Sequence, residues 1–93
     1  MAIRVRVLFL QEFYQLAGTH EAVYELPEGA TVRDLLERLP GPVRERLLEP
    51  GGGIRHPAAV LVNGRRIEFL RGLDTRLRDG DTVHVSPRAL FVV

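Results

Sequence analysis

His20-Glu21-Ala22-Val23-Tyr24-Glu25-Leu26-Pro27-Glu28-Gly29-Ala30-Thr31-Val32-Arg33-Asp34-Leu35-Leu36-Glu37-Arg38-Leu39 is the stretch in which the pattern of the chain changes period. Up to Leu26 the residues alternate, with Ala22, Tyr24 and Leu26 on one face and Glu21, Val23 and Glu25 on the other, the two-residue repeat of a strand with one covered face. Pro27-Glu28-Gly29 interrupts it. Beyond the break Val32, Leu35, Leu36 and Leu39 fall at i, i+3, i+4 and i+7, one apolar stripe on a helix. Thr31 stands where an N-cap is needed, with Asp34 three residues on, a capping-box arrangement using the shorter acid. Pro40-Gly41-Pro42 ends the helix. A strand followed at once by a helix whose stripe needs a sheet to cover it predicts an α+β domain.

Working outward, Ile3, Val5, Val7 and Phe9 alternate with Arg4, Arg6 and Leu8, which predicts a first strand. Paired antiparallel with the second, it would set Arg4 and Arg6 facing Glu21 and Glu25. Between them Leu10, Phe13 and Leu16-Ala17 recur at about helical spacing before Gly18, which suits a short helical turn. On the other side Pro42 can open a second helical piece through Val43, Leu47 and Leu48, and Pro50-Gly51-Gly52-Gly53 reads as a flexible loop. Ala58 to Val62 is an almost continuous apolar run, expected of a strand covered on one face and partly on the other. Asn63-Gly64 is a strong hairpin signal, and Arg65-Arg66-Ile67 starts the return strand. Leu73 to Leu77 makes a tight connection, Asp79-Gly80-Asp81 a turn, and Thr82 to Val85 a last strand with Val83 and Val85 inward. The order is strand, strand, helix, strand, hairpin, strand. It predicts a mixed sheet of four to five strands with one main helix packed on one face, residues 1–93 forming a single domain.

The 93 residues are 45% apolar and 27% charged, the balance of a folded chain. There is no cysteine, which excludes disulfides, thiolate metal sites and a cysteine nucleophile. All thirteen basic residues are arginine, the mark of a coding bias or a thermophilic source, and no ε-amine exists for Schiff-base chemistry. Residues 1–53 carry six arginines against eight acids and residues 54–93 seven against four, so no large basic field is available for nucleic acid. No apolar run approaches membrane-spanning length, and Met1-Ala2-Ile3-Arg4-Val5-Arg6 is unlike a signal peptide, which predicts a cytoplasmic protein off the membrane. His20, His56 and His84 lack metal-ligand spacing. Asp79 and Asp81 around Gly80 read as turn-formers rather than paired catalytic carboxylates. Without a nucleophile motif, the expectation is no enzyme, no cofactor and no metal.

Three segments carry a family resemblance: Leu26 to Leu36 as quoted above, Leu61-Val62-Asn63-Gly64-Arg65, and Leu77-Arg78-Asp79-Gly80-Asp81-Thr82-Val83-His84-Val85-Ser86-Pro87. With Phe13-Tyr14-Gln15-Leu16-Ala17-Gly18 after the first strand, the chain resembles the ThiS/MoaD sulfur carriers along essentially its whole length. The resemblance implies a ubiquitin-like β-grasp with the first and last strands parallel in the centre. It also implies a carboxy-terminal tail that enters partner proteins. In that family the terminal carboxylate is adenylated, converted to thiocarboxylate, and its sulfur is delivered to molybdopterin or thiazole precursors. The insertion Leu70-Arg71-Gly72-Leu73-Asp74 favours the MoaD side, the small subunit of molybdopterin synthase.

Where the family tail ends in Gly-Gly, this sequence continues Arg88-Ala89-Leu90-Phe91-Val92-Val93. Two residues without Cβ atoms thread a narrow channel and present an unhindered carboxylate, whereas Phe91 and the β-branched Val92 would clash there. The expectation is a binding or regulatory module of molybdenum-cofactor or sulfur-transfer pathways, with Arg88, Ala89, Leu90, Phe91, Val92 and Val93 as the partner-binding residues. The expected partner is a MoaE-like or activating-enzyme-like protein, or a second copy bound through the tail. The alternatives are a working carrier subunit with an unusual tail and a structural self-association domain.

Overall fold

Alternation in the first residues places every second side chain in the core. Ala2–Phe9 forms β1, with Ile3, Val5, Val7 and Phe9 buried and Ala2, Arg4 and Arg6 exposed. The computed structural model describes residues 1–88. After β1 come α1 (Glu12–Ala17), β2 (Glu21–Pro27), α2 (Val32–Leu36) and α3 (Gly41–Leu47). The second half supplies β3 (Ala59–Val62), β4 (Arg65–Arg66) and β5 (Thr82–Ser86), with short 3-10 helices at Ile67–Phe69 and Gly72–Asp74 between the last two strands. The five strands form one sheet in the order β2-β1-β5-β3-β4, with β1 and β5 parallel and the other neighbours antiparallel. This is an α+β, ubiquitin-like β-grasp.

One face of the sheet meets the helices. Val5, Val7, Val60, Val62, Val83 and Val85 from the strands, Phe13 from α1, Val32, Leu35 and Leu36 from α2, and Val43 and Leu47 from α3 form one buried cluster. Full burial of such side chains stabilises the fold by about 1.5–3 kcal/mol each. The capping box at the head of α2 is complete: the Asp34 backbone N–H donates to Thr31 Oγ1 at 3.4 Å and the Thr31 N–H donates to Asp34 Oδ2 at 2.9 Å.

Two local expectations change, and a third segment is placed. The helical stripe reaches Leu39, but α2 itself ends at Leu36: the N–H groups of Arg38 and Leu39 donate three residues back, to Leu35 and Leu36, in a tightened last turn. Leu39 precedes Pro40, whose ring disfavours the α conformation there, yet its side chain is still buried. The glycine loop is a closed turn. Gly52 N–H donates to Glu49 O and Glu49 N–H to Gly53 O, both at 2.8 Å, with φ at Gly52 of 96°. The connection through Thr75 to Leu77 runs beside the entry to α2, with Val32 N–H donating to Thr75 O and Leu77 N–H to Ala30 O, each at 2.9 Å.

Candidate partner-binding site

The residues that β1, β2, β3 and β5 point away from the helices make up the second face of the sheet. By alternation these are Arg4, Arg6 and Leu8 of β1, Glu21, Val23 and Glu25 of β2, Ala59 and Leu61 of β3, and Thr82, His84 and Ser86 of β5. The register sorts them into two ends. Towards β2 the face is charged. Towards β3 it is apolar, with Ala59 opposite Ser86 and Leu61 opposite His84.

At the charged end Arg4 and Arg6 do share a face with Glu21 and Glu25. Arg4 is directly opposite Glu25, and Arg6 opposite Val23, so Arg6 reaches diagonally to Glu21. The guanidinium Nε and Nη2 donate to the two Glu21 carboxylate oxygens at 3.0 Å each. Those hydrogen bonds hold the Glu21 carboxyl below its usual range, and its own acceptance of them raises the Arg6 guanidinium further. Arg4 is tied through its backbone instead: its N–H donates to Asp79 Oδ1 at 2.8 Å and its carbonyl accepts from Gly80 N–H at 2.8 Å. Asp81 bonds its own turn, accepting from Arg78 N–H at 2.8 Å. Both aspartates therefore serve the turn that feeds β5.

Asn63 joins the two loops at that end. Its φ is 51° and that of Gly64 is 85°, the pair of positive values that a tight hairpin of matching twist requires. Its side chain accepts from Thr82 N–H at 2.9 Å through Oδ1 and donates to Asp81 Oδ1 at 2.9 Å through Nδ2.

At the other end of β5 the chain bends. Ser86, 0% exposed, donates through Oγ to Arg88 O at 2.7 Å and accepts from Arg88 N–H at 3.3 Å, closing a short turn over Pro87. Of the partner-binding residues expected from sequence, Arg88 stands exposed at this exit from the central strand. Ala89, Leu90, Phe91, Val92 and Val93 lie outside the described residues. Ala59, Leu61 and Ser86, which the sequence did not single out, lie beside that exit. The unbroken apolar run Ala58–Val62 is the signal that pointed to Ala59 and Leu61.

The histidines stand apart. His20 stacks on Tyr14, with ring centroids 3.7 Å apart and planes within 7°. His84 sits on β5 among the outer-face residues. Among the described residues no three His, Asp or Glu side chains gather as a metal site, and no helix is long and apolar enough to cross a membrane.

Sequence and fold comparisons agree with this architecture. The profile of the ThiS family matches residues 7–87. Small archaeal modifier protein 3 of Haloferax volcanii is 32% identical over 88 residues, covering 91% of this chain and 95% of the relative. A Pyrococcus furiosus structure provisionally assigned as molybdopterin converting factor, subunit 1, is 34% identical with a TM-score of 0.74, covering 94% of this chain and 99% of that one. A chain of the Amycolatopsis orientalis BexX/CysO complex is 25% identical with a TM-score of 0.71, covering 95% of this chain and 99% of that one. With the central parallel pair, the Asn63-Gly64 hairpin and the Asp79–Asp81 turn each in place, the chain belongs to the ThiS family of ubiquitin-like sulfur carriers and small modifiers.

Proposed function

We propose that this chain is a MoaD-like, single-domain binding or regulatory module of a sulfur-transfer or molybdenum-cofactor assembly, recognised through Arg88, Ala89, Leu90, Phe91, Val92 and Val93. The observation that carries the reading is the position of the exit. The strand that ends at Ser86 is the middle strand of the sheet, and the residues after it leave from an exposed Arg88. Those residues are Ala-Leu-Phe-Val-Val, apolar and bulky where a carrier tail must be slender. The side chains suit a pocket on a protein surface and would crowd the acyl carbon of a carboxylate awaiting activation. That a structural relative is seen within the BexX/CysO complex supports a protein partner for a fold of this kind.

The partner class is a MoaE-like subunit or an activating-enzyme-like protein, and the chain performs no catalysis of its own. Placing a photo-reactive benzophenone at position 91 of the full chain tests this. A crosslink to an activating enzyme or MoaE-type protein is expected. Binding without a crosslink would remove the tail from the interface, and no binding at all would contradict the module.

A further inference from the structure

The insertion Leu70-Arg71-Gly72-Leu73-Asp74 plays no part in the tail, yet it builds one wall of a cleft. The cleft holds about 700 Å³, against about 30 Å³ for one water molecule, which is room for several ligand side chains. Leu70 and Leu77 give it an apolar lining, and Arg71, Arg76 and Arg78 give it three cations. All three arginines are exposed, and none makes an ion pair among the described residues. The acids lining the cleft do not offset them. Asp74 is already paired with Arg33 at 3.3 Å, which leaves Glu28 alone against three guanidinium groups.

The cleft is held in shape before any ligand arrives. Thr75 Oγ1 accepts from Arg71 N–H at 3.0 Å and donates to Gly72 O at 2.7 Å, while Leu73 packs against the core. Arg71 is thereby fixed beside the segment Thr75 to Arg78, where Arg76 and Arg78 flank the buried Leu77. That segment is bridged antiparallel to the entry of α2 through Thr31 and Arg76. The bonds of the bridge come from the flanking residues, Val32 N–H to Thr75 O and Leu77 N–H to Ala30 O. Arg76 therefore turns its own N–H and C=O away from α2, and neither has a protein partner among the described residues. An open main-chain edge lies beside a row of cations.

This end of the molecule is remote from the tail exit. The cleft adjoins the start of β1 and the end of β2, where Ala2 faces Pro27, whereas β5 ends at the opposite pole, beyond the pairing of Phe9 with Val85.

We propose that the cleft formed by Arg71, Arg76, Arg78, Leu70 and Leu77 binds an extended acidic segment of a partner protein. The segment adds to the open edge at Arg76 and sets its carboxylates on the three arginines. Alternate side chains of an extended peptide recur about every 7 Å, the spacing at which Arg76 and Arg78 stand on their own extended segment. A free phosphate answers the charge but not the repeat, and it cannot occupy both the N–H and the C=O of Arg76 as a peptide does. The three cations select an acidic sequence and speed its capture, while the main-chain pairing fixes its direction. This second contact does not rest on the tail, so it stands or falls apart from the proposed function.

Nitrogen-15 NMR titration of the full chain at low salt tests it, with a capped peptide of alternating glutamate and valine as the probe. Saturable shifts are expected at Arg71, Thr75, Arg76, Leu77 and Arg78, with the Arg76 amide moving downfield as it gains a hydrogen bond. Arg76→Gln and Arg78→Gln, both at exposed positions, should each weaken binding about two- to fivefold, and Arg44→Gln on α3 should leave it unchanged. Added salt should weaken it further. No saturable shift in the cleft would overturn the proposal. So would binding that leaves the Arg76 amide unmoved, equal binding of the peptide with glutamine in place of glutamate, or inorganic phosphate reproducing the whole pattern, which would assign the cleft to a free anion. Cleft resonances that move on dilution without peptide would assign it to a second copy and overturn it equally.

Discussion

Glu21 gives the surface its clearest pH dependence. Its folded-state pKa lies below the ordinary carboxyl value because Arg6 hydrogen-bonds the ionised form. The stabilisation is thus present above the unfolded-state pKa, near 4.5, and is lost as pH falls through the depressed folded value. Glu21→Gln should lower the melting temperature slightly at neutral pH, and the gap to the native chain should narrow as the pH falls below the ordinary carboxyl range and Glu21 is protonated. Thermal melts at neutral pH and in acid check this, and a gap that widens in acid would contradict it. Gly64 makes a different demand. At φ 85° its missing Cβ would meet no atom within 4 Å, so Gly64→Ala has room and still should cost about 1–2 kcal/mol in backbone strain alone. Asn63→Ala should cost about 2 kcal/mol, combining left-handed backbone with the lost bonds to Thr82 and Asp81. Urea titration separates these values. The hairpin was legible in Asn63-Gly64 itself. The second role of Asn63 was not, because its partners Asp81 and Thr82 come from a turn 18 and 19 residues away.

Among the elements, α2 shows what a pattern can and cannot say. The apolar stripe Val32, Leu35, Leu36 and Leu39 correctly names the buried residues, and Thr31 with Asp34 correctly marks the start. The end was misplaced because periodicity reports which side chains face the core, while helix termination depends on the backbone ahead of Pro40. Leu39→Ala should therefore behave as a core substitution although Leu39 lies outside the helix, costing about 2–5 kcal/mol in chemical denaturation. Thr31→Ala, which removes the hydroxyl that accepts from the Asp34 N–H and leaves the Asp34 carboxylate on the residue-31 N–H, should cost about 1 kcal/mol. The glycine run was read as a flexible loop from composition alone. Its closure by bonds between Glu49, Gly52 and Gly53 depends on Leu48 and Ile54 bridging across it, and neither neighbour signals that in the sequence.

Over the whole molecule, strand existence was readable from alternation, but strand order was not. The parallel pairing of Arg6 with Thr82 and Val7 with Val83 joins residues 76 apart, and no local period encodes it; only the resemblance implied it. The candidate site divides in the same way. The tail residues drew notice because Phe91 and Val92 stand where a slender carrier tail is expected. The outer patch did not, because a run such as Ala58–Val62, read as covered on one face and partly on the other, does not name what lies against the second. Membership of the ThiS family and the residues Phe91 and Val92 together motivate the central proposal, that this chain engages partners without carrying sulfur on these residues. Intact mass spectrometry after incubation with ATP, a sulfur donor and an activating enzyme tests it most directly. A chain carrying Phe91→Gly and Val92→Gly and lacking Val93 serves alongside as the restored carrier. The account predicts an unchanged mass for the native chain and exchange of one carboxylate oxygen for sulfur in the restored one; a native chain that acquires the thiocarboxylate would contradict it.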